Sequence, residues 1–478
     1  MYEMKNQREC FFDDHLIDQE KTTAELLLHH PIRKEAAMLH DAPWEGDGCD
    51  YHNFFYDDNE GIYRMYYTGW HSSNEHEIVI CYAQSRDGMV WEKPSLGICT
   101  FQGYRENNII FDKSMAFDSE VDNFMVFRDT NPDCAPDKRY KAVTRLTKDD
   151  QLGLYSYYSK DGIHFFYGEL LTTEGLFDSL NIVFWDETAR VYRCYCRGFH
   201  APGQQDVSES SEENIRDIRY MESKDFLHWS KPMMIDFSDD EEVALYTSVV
   251  QCYPRAEHQL IGFPTRYLFR REWTKNYDEL CGSEKRKERM KKESRFGMVI
   301  TDCIFMTSRD GVHFRRYNEA FLRPGAENGS NWVYGDGYPA RGFIETASDV
   351  EGADPELSMY VPIGSWTNHP ARLDRYVIRC DGFVSVHAGA EERILTTKPF
   401  TYQGDKLYIN FSTSALGYLY LTLIDENGTR YESCETFGDR IHRRVHFGEG
   451  VLEKLSGKPV TLEVRMRDAD FYSMIFQA

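Results

Sequence analysis

The chain has 478 residues, of which 79 are acidic and 55 basic, for a formal net charge of −24. A field of that sign repels nucleic acid and anionic membranes and favours a neutral substrate over a polyanion. Hydrophobic residues make up 41% and aromatics 14%, and no apolar run nears the roughly 18 residues that span a bilayer, so the composition predicts a soluble globular protein with a large core.

The N-terminal MYEMKNQREC lacks the apolar stretch and small-residue cleavage site of a secretory leader, which predicts a cytoplasmic location. The 12 cysteines fall mostly in strand-like runs such as RVYRCYCRG, without a C-x-x-C pair, and read as buried free thiols. Three such runs, YHNFFYD, IYRMYYTGW and EIVICYAQS, lead to a turn at Ser85-Arg86-Asp87-Gly88 followed by Trp91. The turn frame returns as SKDGIHF (Ser159 to Phe165), SKDFLHW (Ser223 to Trp229), SRDGVHF (Ser308 to Phe314) and, more loosely, RCDGFVS (Arg379 to Ser385).

Each return is preceded by three further strand-like runs: DNFMVFRD, RYKAVTRL and LGLYSYYS; LNIVFWD, VYRCYCRGF and IRDIRYMES; SVVQCYP, QLIGFPTRY and GMVITDCIFMTS; YPARGFIET, LSMYVPIGSW and LDRYVIRC. With the segment after the turn, each unit has four strands. Aromatic and β-branched enrichment with Asp-Gly turns predicts antiparallel meanders, and four-stranded units repeated radially make a β-propeller. The expected fold is all-β: a five-bladed β-propeller over 1–387, followed by a C-terminal β-sandwich over 388–478, where strand signals continue without the turn frame.

In such a propeller the links into each first strand and the loops between second and third strands share one face, and the long loops here crowd that face. The links carry acids: Glu45, Asp47 and Asp50 for blade one, Glu120 and Asp122 for blade two, Asp178 for blade three, Glu241 and Glu242 for blade four, and Asp336 for blade five. Carboxyl groups converging on one channel mouth suit glycosidic bond cleavage, which needs one acid to protonate the leaving oxygen and one carboxylate to attack or to activate water. Sugar platforms and hydroxyl partners are expected among Trp44, Trp70, His71, His200, Arg266, Trp273, Trp332, Trp366 and His369, with Trp44 and Trp332 the preferred pair. The basic run Lys285 to Lys292 reads as a helix: a solvated face, a lid over the site or the edge of an oligomer contact. No histidine cluster has metal-site spacing, and no phosphate loop, dinucleotide fingerprint or nucleophile elbow is present, so no cofactor is expected.

The elements PWEG, FDS-N, RYxxY and DGxHW/F resemble those of the five-bladed glycoside hydrolase superfamily of families 32, 43, 68 and 130, and more closely a family 32-like group. Further stretches that carry the resemblance are FRDTNPDCAPDKRYKAV, YPRAEHQLIGFPTRY, ENGSNWVYGDGYPA and DGFVSVHA. The resemblance implies three catalytic acids: Asp50 as nucleophile or base, Asp122 as orienting carboxylate, and Asp178 as general acid. Glu45, Asp47 and Asp336 are the alternative acids. The chain departs from families 32 and 43 in having no NDPNG and no EC or EGP at Asp178. Asp129 in FRD follows a first strand rather than preceding one and reads as structural. Some related propellers hold a structural calcium in the channel, which nothing in this sequence specifies.

The leading expectation is therefore a glycosidase acting on a small neutral oligosaccharide, with carbohydrate as its partner and neither nucleic acid nor membrane. The alternatives are a glycoside phosphorylase, whose phosphate would need cations such as Arg266 and Arg341, and a carbohydrate-binding propeller without catalysis.

Overall fold

The computed structural model describes residues 1–72, 77–204, 211, 213–237, 239, 241–367 and 369–478. Parts of the expected active-face loops, at 73–76, 205–210, 212 and 368, lie outside the described residues. Among the described residues no helix is long and apolar enough to cross a membrane.

Five antiparallel sheets form the five blades. Blade one runs from Asn53–Asp57 at the channel through Ile62–Gly69 and Val79–Ser85 to Ile109–Phe111. Blade two uses Met125–Arg128, Tyr140–Lys148, Gln151–Ser159 and Phe166–Thr172. Blade three uses Ile182–Asp186, Val191–His200, Ile215–Ser223 and Met233–Met234. Blade four takes Gln251–Tyr253, Ala256–Gly262, Val299–Ser308 and His313–Leu322, with Thr265–Phe269 added beside the third strand.

Blade five differs from the expected unit. Its first three strands are Ile344–Thr346, Glu356–Ile363 and Arg372–Arg379, but its fourth is Ile32–Leu39 from the N-terminal end of the chain. The segment after the fifth turn, Val384–Ala388, pairs instead with Glu25–Leu28 and with Val460–Gln477. The physical reason is closure: a ring of blades is held shut when one sheet takes strands from both ends of the chain. Arg375 to Glu35 at 2.7 Å and Arg33 to Asp374 at 2.5 Å reinforce the seam.

The division at 387/388 is redrawn accordingly. Tyr2–Met4, Glu9–Cys10 and Glu25–Leu28 lie in the same sheet system as the C-terminal strands, and Met4, Phe11, Leu16 and Ile17 are buried in its core. Two long strands, Lys406–Asp425 and Val460–Gln477, pair along their length with a break between Thr413 and Tyr418. Leu407, Ile409 and Phe411 before that break and Leu419, Leu421 and Leu423 after it enter one core, so the sheet folds over itself as a sandwich.

The propeller core is divided into wedges between blades. In blade one, Tyr66, Ile80 and Tyr82 pack toward blade two, whereas Met65, Tyr67, Cys81 and Ala83 pack toward blade five. This is the period-two alternation of a strand buried on both faces. The turn frame locks the wedges. Ser85, Ser159 and Ser308 each accept the glycine N–H of their turn at 2.9 Å, and the frame's aspartate accepts the two N–H groups beyond it. A second-strand tyrosine of the preceding blade then donates to the glycine carbonyl: Tyr66 to Gly162 and Tyr195 to Gly311, both at 2.8 Å, and Tyr360 to Gly88.

Gly311 takes φ +84°, and an added Cβ would lie 2.1 Å from Arg193 Nη1 and 2.8 Å from Tyr195 Oη. Gly352 has φ +77° with open space around it. Gly311→Ala is therefore expected to cost about 2–4 kcal/mol and Gly352→Ala about 1 kcal/mol. Chemical denaturation checks this; equal costs would remove the blade-locking role of the turn.

Candidate active site

Asp50 ends the link that feeds blade one, and its backbone is clamped by Thr68 of the second strand. The Asp50 N–H donates to Thr68 Oγ1 at 2.9 Å, and the Thr68 N–H donates to the Asp50 carbonyl at 3.1 Å. The next residue, Tyr51, adopts φ +57°, as do Val249 at +46°, Trp332 at +59° and Trp366 at +60° on other links and loops of this face. Such left-handed non-glycine residues carry strain that persists only where the surroundings fix it, and they concentrate at functional sites. Asp50 Oδ1 is buried without a hydrogen-bond partner. Burial first, and the charge of Asp47 second, push its carboxyl up to about 7, against the Ser365 hydroxyl beside it.

Asp122 and Asp178 stand on the links into blades two and three, and both feel Arg197. Burial and the neighbouring Glu120 raise Asp122 to about 6, with Arg145 and Arg197 opposing. Asp178 forms an ion pair with Arg197, whose guanidinium lies in the second strand of blade three, and its side chain remains 43% exposed. The rim joining these acids is tyrosine-rich. The Tyr51 hydroxyl donates to Tyr246 at 3.4 Å, and Tyr51 also feels the charge of Asp122. Tyr338 feels Asp50, Tyr51 and Tyr246 together, and Arg197 lies within the field of Tyr51, Tyr246 and Tyr334. Near neutrality Asp50 thus keeps a share of its proton, Asp122 is largely ionised, and Asp178 is an ion-paired carboxylate; a raised carboxyl and an ionised one are the two states that general acid–base chemistry uses.

Aromatic rings and a helix complete the wall. Trp366 stacks on Phe296 at 5.0 Å and on Tyr334 at 5.7 Å, and meets the edge of Trp70 at 5.4 Å. Trp70 and His71 lie directly over Gly48 and Gly46, where any Cβ would collide with their rings. The basic run forms the helix Ser283–Met290, which is tied down rather than solvated. Lys285 Nζ donates to the Thr367 carbonyl at 2.8 Å, Arg286 donates to the Trp332 and Gly297 carbonyls, and burial draws Arg289 down to about 10.

Several expected site residues serve the scaffold instead. Glu45 accepts Tyr67 Oη at 2.6 Å, Lys93 Nζ at 2.8 Å and the Ala42 N–H at 3.0 Å; although burial opposes it, His40 and Lys93 hold its carboxyl down at about 2, so it is no proton donor. Asp47 accepts the Ser72 N–H at 2.8 Å and the Ser72 hydroxyl at 2.6 Å and shapes the loop after the second strand. Asp336 accepts the Val333 N–H at 2.9 Å in a tight turn beneath the helix, where burial pushes it up to about 7. Trp44 packs on Phe101 and donates to Asn108 at 2.8 Å; Trp332 donates to the Gly325 carbonyl at 2.9 Å and props the helix. Arg266 is spent on a two-pronged pair with Asp302, and His200 is bound to Asp217 at 2.8 Å beside a neighbouring cleft. Arg341 is buried against Phe184 in the channel. Asp129 is buried and accepts Tyr192 Oη at 2.7 Å and Lys141, a structural anchor on the opposite end of its strand.

Arg197, Arg216, Tyr51, Tyr246 and Tyr334 were not anticipated. The one available signal was Arg197, a charged residue inside a strand whose every residue from Tyr192 to His200 is buried.

No family model matches the chain, and no curated protein is similar to it in sequence. Among solved structures it is similar to an N-acetylgalactosamine deacetylase from F. plautii in complex with blood group B trisaccharide, at 12% identity over 75% of this chain and 95% of that one, with a TM-score of 0.45. A thermostable family-43 glycoside hydrolase matches at 12% identity over 72% and 94%, with a TM-score of 0.44. A fructofuranosidase from Schwanniomyces occidentalis complexed with fructosylnystose matches at 11% identity over 95% and 98%, with a TM-score of 0.38. Likeness at this level assigns no chemistry.

The raised carboxyl of Asp50 has a signed consequence. A group whose folded value, about 7, exceeds the ordinary value of 3.8 contributes stability that is present at low pH and lost as pH rises through 7. Asp50→Asn, which removes the buried charge, is expected to stabilise the protein by on the order of 2–4 kcal/mol at pH 8, the gain shrinking toward pH 4. Denaturation curves of both proteins across that range provide the check; a pH-independent difference would contradict the burial of Asp50.

Proposed function

We propose that the protein is a glycosidase whose catalytic carboxyls are Asp50, Asp122 and Asp178. The observation that supports this reading is the graded state of three acids on the links into successive blades: burial raises Asp50 to about 7 and Asp122 to about 6, whereas Asp178 is ion-paired with Arg197. The roles follow from protonation. Asp50 donates its proton to the leaving glycosidic oxygen, and Asp178 is the carboxylate that attacks or activates water, with Asp122 tuning the field between them. This reverses the two end roles implied by the family resemblance, because an ion-paired carboxylate is a poor proton donor. Trp366 and Trp70, both partly exposed, provide the rings on which a sugar's C–H groups rest, with buried Tyr334 stacked behind Trp366.

The test is a panel of aryl glycosides and short oligosaccharides, furanosides included, run with each Asp→Asn variant. Asp178→Asn is expected to lower kcat by about 10²–10⁴ on every substrate. Asp50→Asn should lose unactivated substrates to the same degree while retaining activated aryl glycosides, whose leaving groups need no proton. The opposite pattern would return the roles to those of the resemblance, and silence of the wild type across the panel would favour a binding propeller.

A further inference from the structure

A cleft of about 440 Å³ opens between blades three and four, with Asp178 on its edge. Its described lining carries four guanidinium groups, Arg197, Arg216, Arg271 and Arg295, against three carboxylates, Asp178, Glu213 and Glu293. Asp178 is matched to Arg197 and Glu293 to Arg295. Arg216 has no carboxylate within ion-pair distance among the described residues. Its guanidinium lies over the rings of Tyr267 at 4.5 Å, Phe199 at 5.0 Å and Tyr246 at 5.6 Å, and its inner Nη1 is buried without a hydrogen-bond partner.

We propose that this cleft is an oxyanion site. It takes an ionised carboxylate, sulfate or phosphate group, either as a substituent of the sugar substrate or as free phosphate. The rings hold the planar guanidinium between this cleft and a neighbouring one that carries Asp217, Glu241 and Glu242, and on the side of this cleft a planar or tetrahedral oxyanion accepts its paired N–H groups. Ion-paired Arg197 and Arg295 flank it and reduce the cost of bringing a second charge in. The net charge of −24 argued for a neutral substrate, but salt screens distant surface charges beyond about 10 Å, and the field inside a cleft is set by the groups that line it.

The site is tested by binding, and the identity of its anion, which rests on the glycosidase reading, by turnover. Calorimetric titration of phosphate, sulfate and glucuronate at millimolar concentration is expected to show salt-sensitive binding that weakens about tenfold or more in Arg216→Gln. Arg295→Gln serves as the second variant should the first lose its fold. Absence of binding for all three anions, or binding unchanged in both variants, overturns the proposal.

Turnover of matched aryl glucoside and glucuronide, with and without phosphate, identifies the source. A preference for the acidic glycoside that Arg216→Gln abolishes places the anion on the sugar; phosphate-dependent release of a glycosyl phosphate places it in solution. Anion binding without turnover of any glycoside would sink the glycosidase reading and leave the anion site standing.

Discussion

The hydrogen bond from a second-strand tyrosine to the glycine carbonyl of the next blade's turn is the recurring tie between neighbouring blades. Tyr66, Tyr195 and Tyr360 make this bond across three of the blade junctions. It forms on the face opposite the acids, yet it governs them, because blades are stiff sheets and fixing the outer turn fixes where each inner strand begins. The Ser-Asp pair that caps the turn satisfies the backbone groups left over by the sharp reversal, and the left-handed glycine brings its carbonyl to the neighbour.

The fifth turn is used differently. Its aspartate, Asp381, is fully buried and binds Arg255 at 2.7 Å, Tyr253 Oη at 2.8 Å, Ser473 at 2.7 Å and Arg8 at 3.2 Å. These partners come from blade four, the N-terminal segment and the sandwich, so a residue that caps a turn in the other blades here becomes the joint between the two parts. Burial alone would neutralise it; Arg8 and Arg255 hold it ionised. Breaking one partner of such a joint leaves a buried charge uncompensated.

Against this rigid frame the active face is electrostatically graded. Moving around the mouth from blade one to blade three, the carboxyls pass from buried and proton-bearing at Asp50 to open and ion-paired at Asp178. Beyond Asp178 the field turns positive. The gradient arises from burial at one end and guanidinium groups at the other.

The sequence alone determined the repeat, the five blades and the face on which the acids lie, because a period-two strand pattern and a Ser-x-Asp-Gly frame are local signals that each unit repeats. The family resemblance pointed to Asp50, Asp122 and Asp178, with Glu45, Asp47 and Asp336 as alternatives. Closure was not legible: Ile32–Leu39 carries no turn frame, and its place in blade five depends on the distance between the two ends of a completed ring. Nor could the sequence separate Asp50 from Glu45, five residues away in one link, since the first is desolvated without a partner and the second is met by Lys93 and Tyr67. Trp44 read as a preferred platform and Trp366 as one candidate among several, yet packing makes Trp44 scaffold and stacks Trp366 on Phe296 beside Trp70. Tertiary structure decided these points because charge state and exposure are properties of surroundings assembled from distant segments, whereas the strand and turn patterns are written in consecutive residues.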